Sequence, residues 1–522
     1  MTTLSCIVTG KPFEVAPREA ELLRQLDLPL PRKAPFERWI YAVGQSTPFA
    51  FRKVICPVTE TPILTRWSER GAISGVSPEW FWSDECDNSD AGVDYDFSRP
   101  FFEQFEELAR RCYAPSVNRV NCDNSPYVNA CVGLKDCHLC FACEYLRDCF
   151  YCALCSRSTD LVFCSGLINS ELCYRCLDCE GIYGSRFLQD CKNCRDCYWC
   201  IDCIGCSNCF QCVGLRQASD GYYIRNEKVS KEEWTQTIRA IDFGSFAAET
   251  RIDNAAKEFF QDRRVYNTNF NNEGCSLIYH VDHCKNCENA MYSQNCEDSK
   301  DVVFTSNAKD CYSMVWGRNV ERCYQVVGGS EAYDCAFCDG VIGNARKQMY
   351  CFCCYNGSNN LFGCFFLKTK DHCILNKQYS PAEYSAMLPR IKRHMQSTGE
   401  WGEWFPPSFY AVPYDESWAR YFLTELTEEQ ILRRGLVATV GESKTEEAIG
   451  MELPDTIDDF TDELCGKQIA CALTGQRYSI GLQELKALRK QTCPIPRLRW
   501  SSLLTALQTV SMERCHRELG ME

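Results

Sequence analysis

Eight cysteines recur at every third position of one short stretch: Cys191, Cys194, Cys197, Cys200, Cys203, Cys206, Cys209 and Cys212. Cys-x2-Cys hooks of this kind bind zinc or iron–sulfur clusters. On a metal reading, Cys191, Cys194, Cys197 and Cys200 are the ligands, and zinc, an iron–sulfur cluster or copper is the occupant. Two features favour another reading. Where Cys is missing from the same phase, the replacement is Leu, Ser, Val or Ile. A ligand position rejects Leu, whereas a core position accepts it. A bacterial ferredoxin run also needs a wider last gap and a trailing Pro, and neither is present. The leading expectation is a packed thiol core with no cofactor. Stacked disulfides are a further alternative, because neighbouring coils bring Cα atoms within range.

Other reactive groups are sparse. The six histidines, His138, His280, His283, His372, His394 and His516, are scattered. His280 and His283 lie just before Cys284, and the expectation there is a solenoid turn rather than Cys–His catalysis. Cys6, Cys56, Cys86, Cys465, Cys471, Cys493 and Cys515 stand outside any Cys-x2-Cys pair, so a four-ligand zinc site in one terminal module is weakly supported. There is no phosphate loop, nucleophile elbow or dinucleotide fingerprint. No catalytic residue is assigned, and the protein is expected not to be an enzyme.

The phase that carries the cysteines extends far beyond them. From position 122 to 215 every third residue gives 32 positions: 20 Cys, six Leu, four Ser, one Val and one Ile, none of them charged. Helices repeat at 3.6 residues and strands at 2.0. A three-residue rod packs only with Gly on its tight face, and Gly is absent from this column. The remaining architecture is a solenoid. Rows cut every twelve residues from Cys137 align: the second column holds His138, Phe150, Tyr174, Tyr198 and Phe210, and the last holds Asp148, Asp160, Asp196, Asn208 and Asp220. Asp and Asn suit turns because they tolerate left-handed backbone. The expectation is a four-cornered coil with one inward side chain per side, stacked at about 4.8 Å per layer. The rings of Phe150, Tyr174, Tyr198 and Phe210 then point outward. They are either covered by the chain's own helices or form a partner surface, and they are assigned as the partner surface because exposed apolar patches mark contacts.

Six segments follow. Residues 1–115 form an N-terminal module, 116–222 the first solenoid, 223–270 a helical insert, 271–376 a second solenoid, 377–440 a helical unit and 441–522 a C-terminal module. The second column, from Cys275 to Val341, again lacks charge, and its phase breaks after Val341. Ile224-Arg-Asn226 with Ser230 and Glu233 matches Ile374-Leu-Asn376 with Ser380 and Glu383, 150 residues on. Ser with Glu three residues later is a capping-box signature, so helices should start there. Cys6-Ile-Val-Thr-Gly10 and Leu28-Pro-Leu-Pro-Arg32 recur as Cys471-Ala-Leu-Thr-Gly475 and Cys493-Pro-Ile-Pro-Arg497, with a half-copy at Cys56-Pro-Val-Thr59. The fold class is therefore mainly β: two Cys-cored β-solenoid arrays of about twelve residues per coil, with helical inserts and small α+β terminal modules.

The charge of −14 and pI near 5.2 argue against nucleic acid as a partner. No apolar run reaches the ~18 residues of a membrane span. The start, MTTLSCIVTGKPFEV, has neither a basic nor an apolar leader region. The expectation is a reducing cytoplasm with mostly free thiols.

Several segments carry a resemblance: Cys6-x-x-Thr-Gly-Lys-Pro-Phe13, Asp96-Phe-Ser-Arg-Pro-Phe-Phe-Glu-Gln-Phe105, the Cys-x-x-Cys array, Ile374-Leu-Asn-Lys-Gln-Tyr-Ser380, Gly402-Glu-Trp-Phe-Pro-Pro407 and the Leu-Pro-Asp455 segment. Over nearly its whole length the chain resembles a Cys-rich repeat family of small-genome, candidate-phyla bacteria. The resemblance implies no activity. It implies zinc-ribbon pairs in the terminal modules, and this sequence departs there: Pro35-Phe-Glu-Arg38 holds no Cys, and Cys56-x-x-Thr59 keeps one of two. The expected function is a non-enzymatic structural or interaction protein that presents a rigid surface to a protein partner or another copy. The alternative is a metal-binding or thiol-handling protein that uses the Cys columns.

Overall fold

The computed structural model describes residues 2–45 except 26, 51–261, 345–438 except 356, 418 and 423–425, 452–499 except 474 and 476, and 502–503, together with short strand segments between 272 and 333. The chain forms two compact units: Met1–Val117, Asn269–Val440 and Cys515–Glu522 make one, and Asn118–Thr268 with Gly441–Arg514 make the other. Each unit contains β-solenoid coils of about 12 residues.

The coil spanning 191–202 shows how the sequence builds a turn of the solenoid. Cys191, Cys194, Cys197 and Cys200 point inward and are fully buried. The residue after each one pairs with the next coil, twelve positions on: Lys192 with Ile204, Arg195 with Ser207, Tyr198 with Phe210 and Ile201 with Val213. The third residue of each side, Asn193, Asp196, Trp199 or Asp202, has φ between 50° and 53°. Period three thus reads inward, paired, left-handed. Left-handed backbone costs about 1–2 kcal/mol for a residue with a Cβ, which is why Asp, Asn and Gly crowd this third position. Where a ring stands there instead, stacking offsets the strain: Tyr151 lies on Phe163 at 4.5 Å and Phe187 on Trp199 at 4.2 Å between ring centres. Backbone groups are paired between coils, as in Lys192 N–H to Cys203 O at 3.0 Å and Asn193 N–H to Glu180 O at 2.8 Å.

A hairpin ends the array. Strand Tyr222–Ile224 extends the parallel stack and turns into the antiparallel strand Glu227–Val229 through Arg225 and Asn226, both with positive φ. Two positive-φ residues make the tight turn that matches strand twist. Helices Lys231–Arg239 and Phe246–Phe260 follow, with Ser230 and Ser245 accepting N–H bonds from Glu233 and Ala248 at their starts. The C-terminal module carries a hairpin, Ile469–Ala470 with Arg477–Tyr478, and the helix Leu482–Lys490. It packs on the array: Ile457, Phe460, Leu485 and Leu488 share a core with Phe150, Val162, Phe163 and Tyr174.

In the other unit, short strands pair in parallel at the same twelve-residue offset, for example Asn272 with Cys284, Cys284 with Cys296, and Asn307 with Asn319. The inward column expected from Cys275 to Val341 falls on side chains outside the described residues. The phase break has a backbone cause: Arg346 pairs with Asn359 and Phe352 with Phe365, one residue more than the regular coil. The offset returns to twelve at Asn359 with Asp371. Here Leu375 and Asn376 make the terminal turn, and helix Pro381–Thr398 starts on a full Ser380–Glu383 capping box. The N-terminal module covers this end through helix Phe101–Arg111, whose first two N–H groups, on Phe101 and Phe102, donate to the buried Glu400 carboxylate at 2.8 and 2.7 Å. Phe101, Phe105, Phe362, Phe365, Phe405 and Phe409 pack ring against ring below it.

Candidate functional site

The inward cysteines are engaged as thiols. Cys191 donates to Gln189 O at 3.2 Å and to Cys200 O at 3.6 Å; Cys194 donates to Lys192 O at 3.4 Å and Cys203 O at 3.3 Å; Cys197 donates to Arg195 O at 3.3 Å and Cys206 O at 3.7 Å; Cys200 donates to Tyr198 O at 3.4 Å. The same S–H pattern, to the carbonyls two residues back and nine ahead, runs down the array from Cys131. Burial pushes Cys140, Cys143, Cys152, Cys191 and Cys200 well above the ordinary thiol range, which favours the neutral donor at these positions, whereas hydrogen bonds from Cys194, Cys200 and Cys209 hold Cys197 well below it. Serine enters this column on the same logic: Ser185 Oγ donates to Tyr183 O at 2.9 Å and accepts the Cys197 N–H at 3.1 Å. Among the described residues no three His, Cys, Asp or Glu side chains converge as a metal-ligand set.

The outward aromatic stripe is not a free surface. Phe150, Tyr174 and Phe210 keep only 8 %, 3 % and 8 % of their area exposed, and this corrects their assignment as a partner surface. Phe150 and Tyr174 seat the C-terminal module. Phe210 lies with Trp199 against Ile252 and Ala256 of the second helix. Tyr198, half-buried, packs on Phe243 and Trp234 at 5.4 and 6.3 Å. Burying each ring against the chain's own modules removes more apolar area from water than leaving the stripe open.

Three hairpins present a cysteine in one geometry. Cys6, Cys56 and Cys471 follow the first strand, and their carbonyls accept the N–H of Gly10, Glu60 and Gly475 at 2.8, 3.0 and 2.8 Å, each of which has positive φ. Cys6 Sγ accepts the Ala34 N–H and Cys471 Sγ the Arg499 N–H, both at 3.3 Å and both 28 residues on. Cys56 Sγ accepts the Ser77 N–H at 3.4 Å. Burial raises Cys6 and Cys56, but hydrogen bonds from Ala34 and Thr9 at Cys6, and from Thr59 and then Ser77 at Cys56, outweigh it and hold both thiols below the ordinary value. Cys493 is buried in the C-terminal core, and burial pushes it up to about 12. His372 pairs with Asp371 at 3.0 Å, and His394 Nδ1 bonds the Tyr95 hydroxyl at 2.8 Å. His280, His283, His516 and Cys515 lie outside the described residues.

The Asp column lines a shallow cleft of ≈ 240 Å³ together with the C-terminal helix: Asp136, Asp148 and Asp160 stand in line, and Lys490 closes it by pairing with Asp160. Burial, reinforced by the Asp160 charge, raises the Asp148 carboxyl. A second cleft, lined by Tyr127, Tyr151 and Glu484 among others, went unanticipated. Its legible signal was the twelve-residue spacing of Tyr151 and Phe163 at the left-handed position.

No family model and no curated protein matches the chain. A solved structure of an acetyltransferase candidate from Desulfovibrio desulfuricans G20 aligns over 56 % of this chain and 86 % of that one, at 9 % identity and a TM-score of 0.12, which carries no argument about fold or activity. No helix among the described residues is long and apolar enough to cross a membrane.

Proposed function

We propose that the protein is a non-enzymatic structural or interaction protein, a rigid Cys-cored scaffold that presents its outer faces to a protein partner or to a second copy in the cytoplasm. One observation carries the reading: the inward thiols spend their protons on backbone carbonyls of their own and the neighbouring coil. A side chain used this way supports a rod rather than holding a substrate or a metal, because a ligand thiol must first lose that proton. The test is elemental analysis of protein purified without oxygen, with thiol titration in denaturant and sedimentation of the native chain. A scaffold yields close to 41 free thiols, no stoichiometric zinc, iron or copper, and a discrete assembled or partner-bound species. Stoichiometric metal would overturn it in favour of metal handling. A large thiol deficit without metal would favour thiol–disulfide exchange instead. That second reading draws on the side-chain hydrogen bonds that Cys191 makes with Cys179, Cys194 and Cys203.

A further inference from the structure

The second cleft lies between the first array and the C-terminal module and encloses ≈ 260 Å³. At about 30 Å³ of liquid volume per water, that is room for a molecule of roughly nine non-hydrogen atoms. Its walls are rings: Tyr127, His138, Tyr151, Phe163 and Tyr478. Tyr127 and His138 meet edge to face at 4.8 Å, and Tyr151 stacks on Phe163 at 4.5 Å.

These walls offer no charge to a ligand. Neither Lys nor Arg lines the cleft. Its one carboxylate, Glu484, is buried and already engaged: Oε2 accepts the Gly481 N–H at 3.1 Å, and the side chain accepts the Tyr151 hydroxyl. The Tyr478 hydroxyl donates to Pro496 O. An anion finds no cation here and a cation no free carboxylate oxygen, so neither recovers the cost of leaving water.

His138 differs from the other ring walls. It is half-buried, and its contacts are aromatic, with Tyr127 at 4.8 Å and Phe150 at 6.1 Å. Among the described residues neither of its nitrogens has a hydrogen-bond partner. Burial lowers its pKa, so at neutral pH it is a neutral imidazole, with one N–H donor and one nitrogen acceptor. A planar ring gains from aromatic walls beyond the area it buries, and one hydroxyl answers one imidazole. We propose that this cleft binds a small neutral phenol, its ring seated among Tyr127, Tyr151 and Phe163 and its hydroxyl hydrogen-bonded to His138. The site does not rest on the scaffold reading above.

The experiment is calorimetric titration of the full chain at neutral pH with p-cresol, toluene, 4-methylcyclohexanol, benzoate, benzylamine and N-acetyl-tyrosinamide. The expected result is saturable p-cresol binding, with a Kd on the order of 0.1–1 mM. Toluene lacks the hydroxyl and 4-methylcyclohexanol lacks the ring faces, and each should bind about fivefold more weakly. Benzoate and benzylamine should not bind. His138→Phe keeps the ring contacts and removes the polar partner. It should weaken p-cresol about fivefold, to the level of toluene, and leave toluene unchanged. Tyr127→Phe keeps the ring and should leave p-cresol binding unchanged. If His138→Phe fails to fold, Leu498→Trp decides, because it fills the cleft from a half-buried wall and should abolish p-cresol binding. Whether p-cresol or N-acetyl-tyrosinamide binds more tightly separates a free phenol from a partner's tyrosine, and either supports the site. Equal binding of p-cresol and toluene, undiminished p-cresol binding to His138→Phe or Leu498→Trp, a loss on Tyr127→Phe, tighter binding of either charged ligand, or no heat at millimolar p-cresol would overturn it.

Discussion

Asn226 closes the first array by pairing both ways with Val213: its Oδ1 accepts the Val213 N–H and its Nδ2 donates to the Val213 carbonyl, each at 2.8 Å. Asn376 makes the same clamp on Phe365 at 2.8 and 3.0 Å, and also donates to Asn88 O at 3.0 Å. The last coil has no next coil to satisfy its backbone, so an amide side chain stands in for the missing strand. Asn376 is fully buried, whereas Asn226 is exposed. Asn376→Ala should therefore cost about 2–3 kcal/mol and Asn226→Ala about 1 kcal/mol, read as the shift in urea midpoint. Equal costs would mean that burial of the clamp is not what matters.

Native thiol reactivity should be confined. Of the described cysteines, Cys122 and Cys465 are partly exposed and the rest are buried. Brief alkylation of the native protein, mapped by mass spectrometry, should label these two and spare Cys140, Cys152, Cys191 and Cys200. Rapid labelling of the inward column would show that the coils open readily.

An ion pair between a half-buried Arg175 and a buried Glu249 ties the helical insert to the array. Arg175 pairs with Glu249, whose other oxygen accepts the Tyr174 hydroxyl at 3.2 Å. Burial raises the Glu249 carboxyl despite the guanidinium. Arg175→Met leaves that carboxyl without its cation, with only the Tyr174 hydroxyl bonded to it, and should destabilise the fold by about 1–3 kcal/mol. Glu249→Gln keeps hydrogen bonding and should cost less. Thermal melts of the two variants rank them, and the reverse order would contradict this account.

Stability should carry a pH signature from Glu484. Its folded value of about 7 lies above the ordinary 4.5, so the folded state holds the proton more tightly than the unfolded chain. The stabilisation is fully present below about 4.5 and is lost as pH rises through about 7, a fall of about 3 kcal/mol. Comparing denaturant midpoints across that window in the native chain and in Glu484→Gln isolates the contribution, because Gln does not titrate. An identical slope in both would remove Glu484 as its source.

Period three from Cys122 to Leu215 was enough to read the solenoid, its twelve-residue coil and its inward thiols, because every coil repeats the same short-range choice of inward, paired and left-handed residue. The terminal turns at Asn226 and Asn376 and the helix starts at Ser230 and Ser380 were legible for the same reason: each is a local hydrogen-bond pattern within a few residues. Docking was not legible. Lys490 reaches Asp160 and Glu484 lies beside Tyr151 across more than three hundred residues. No period in the chain states which module will cover the Phe150 and Tyr174 stripe. That choice depends on the shape and apolar area of two folded surfaces, which exist only once each has formed.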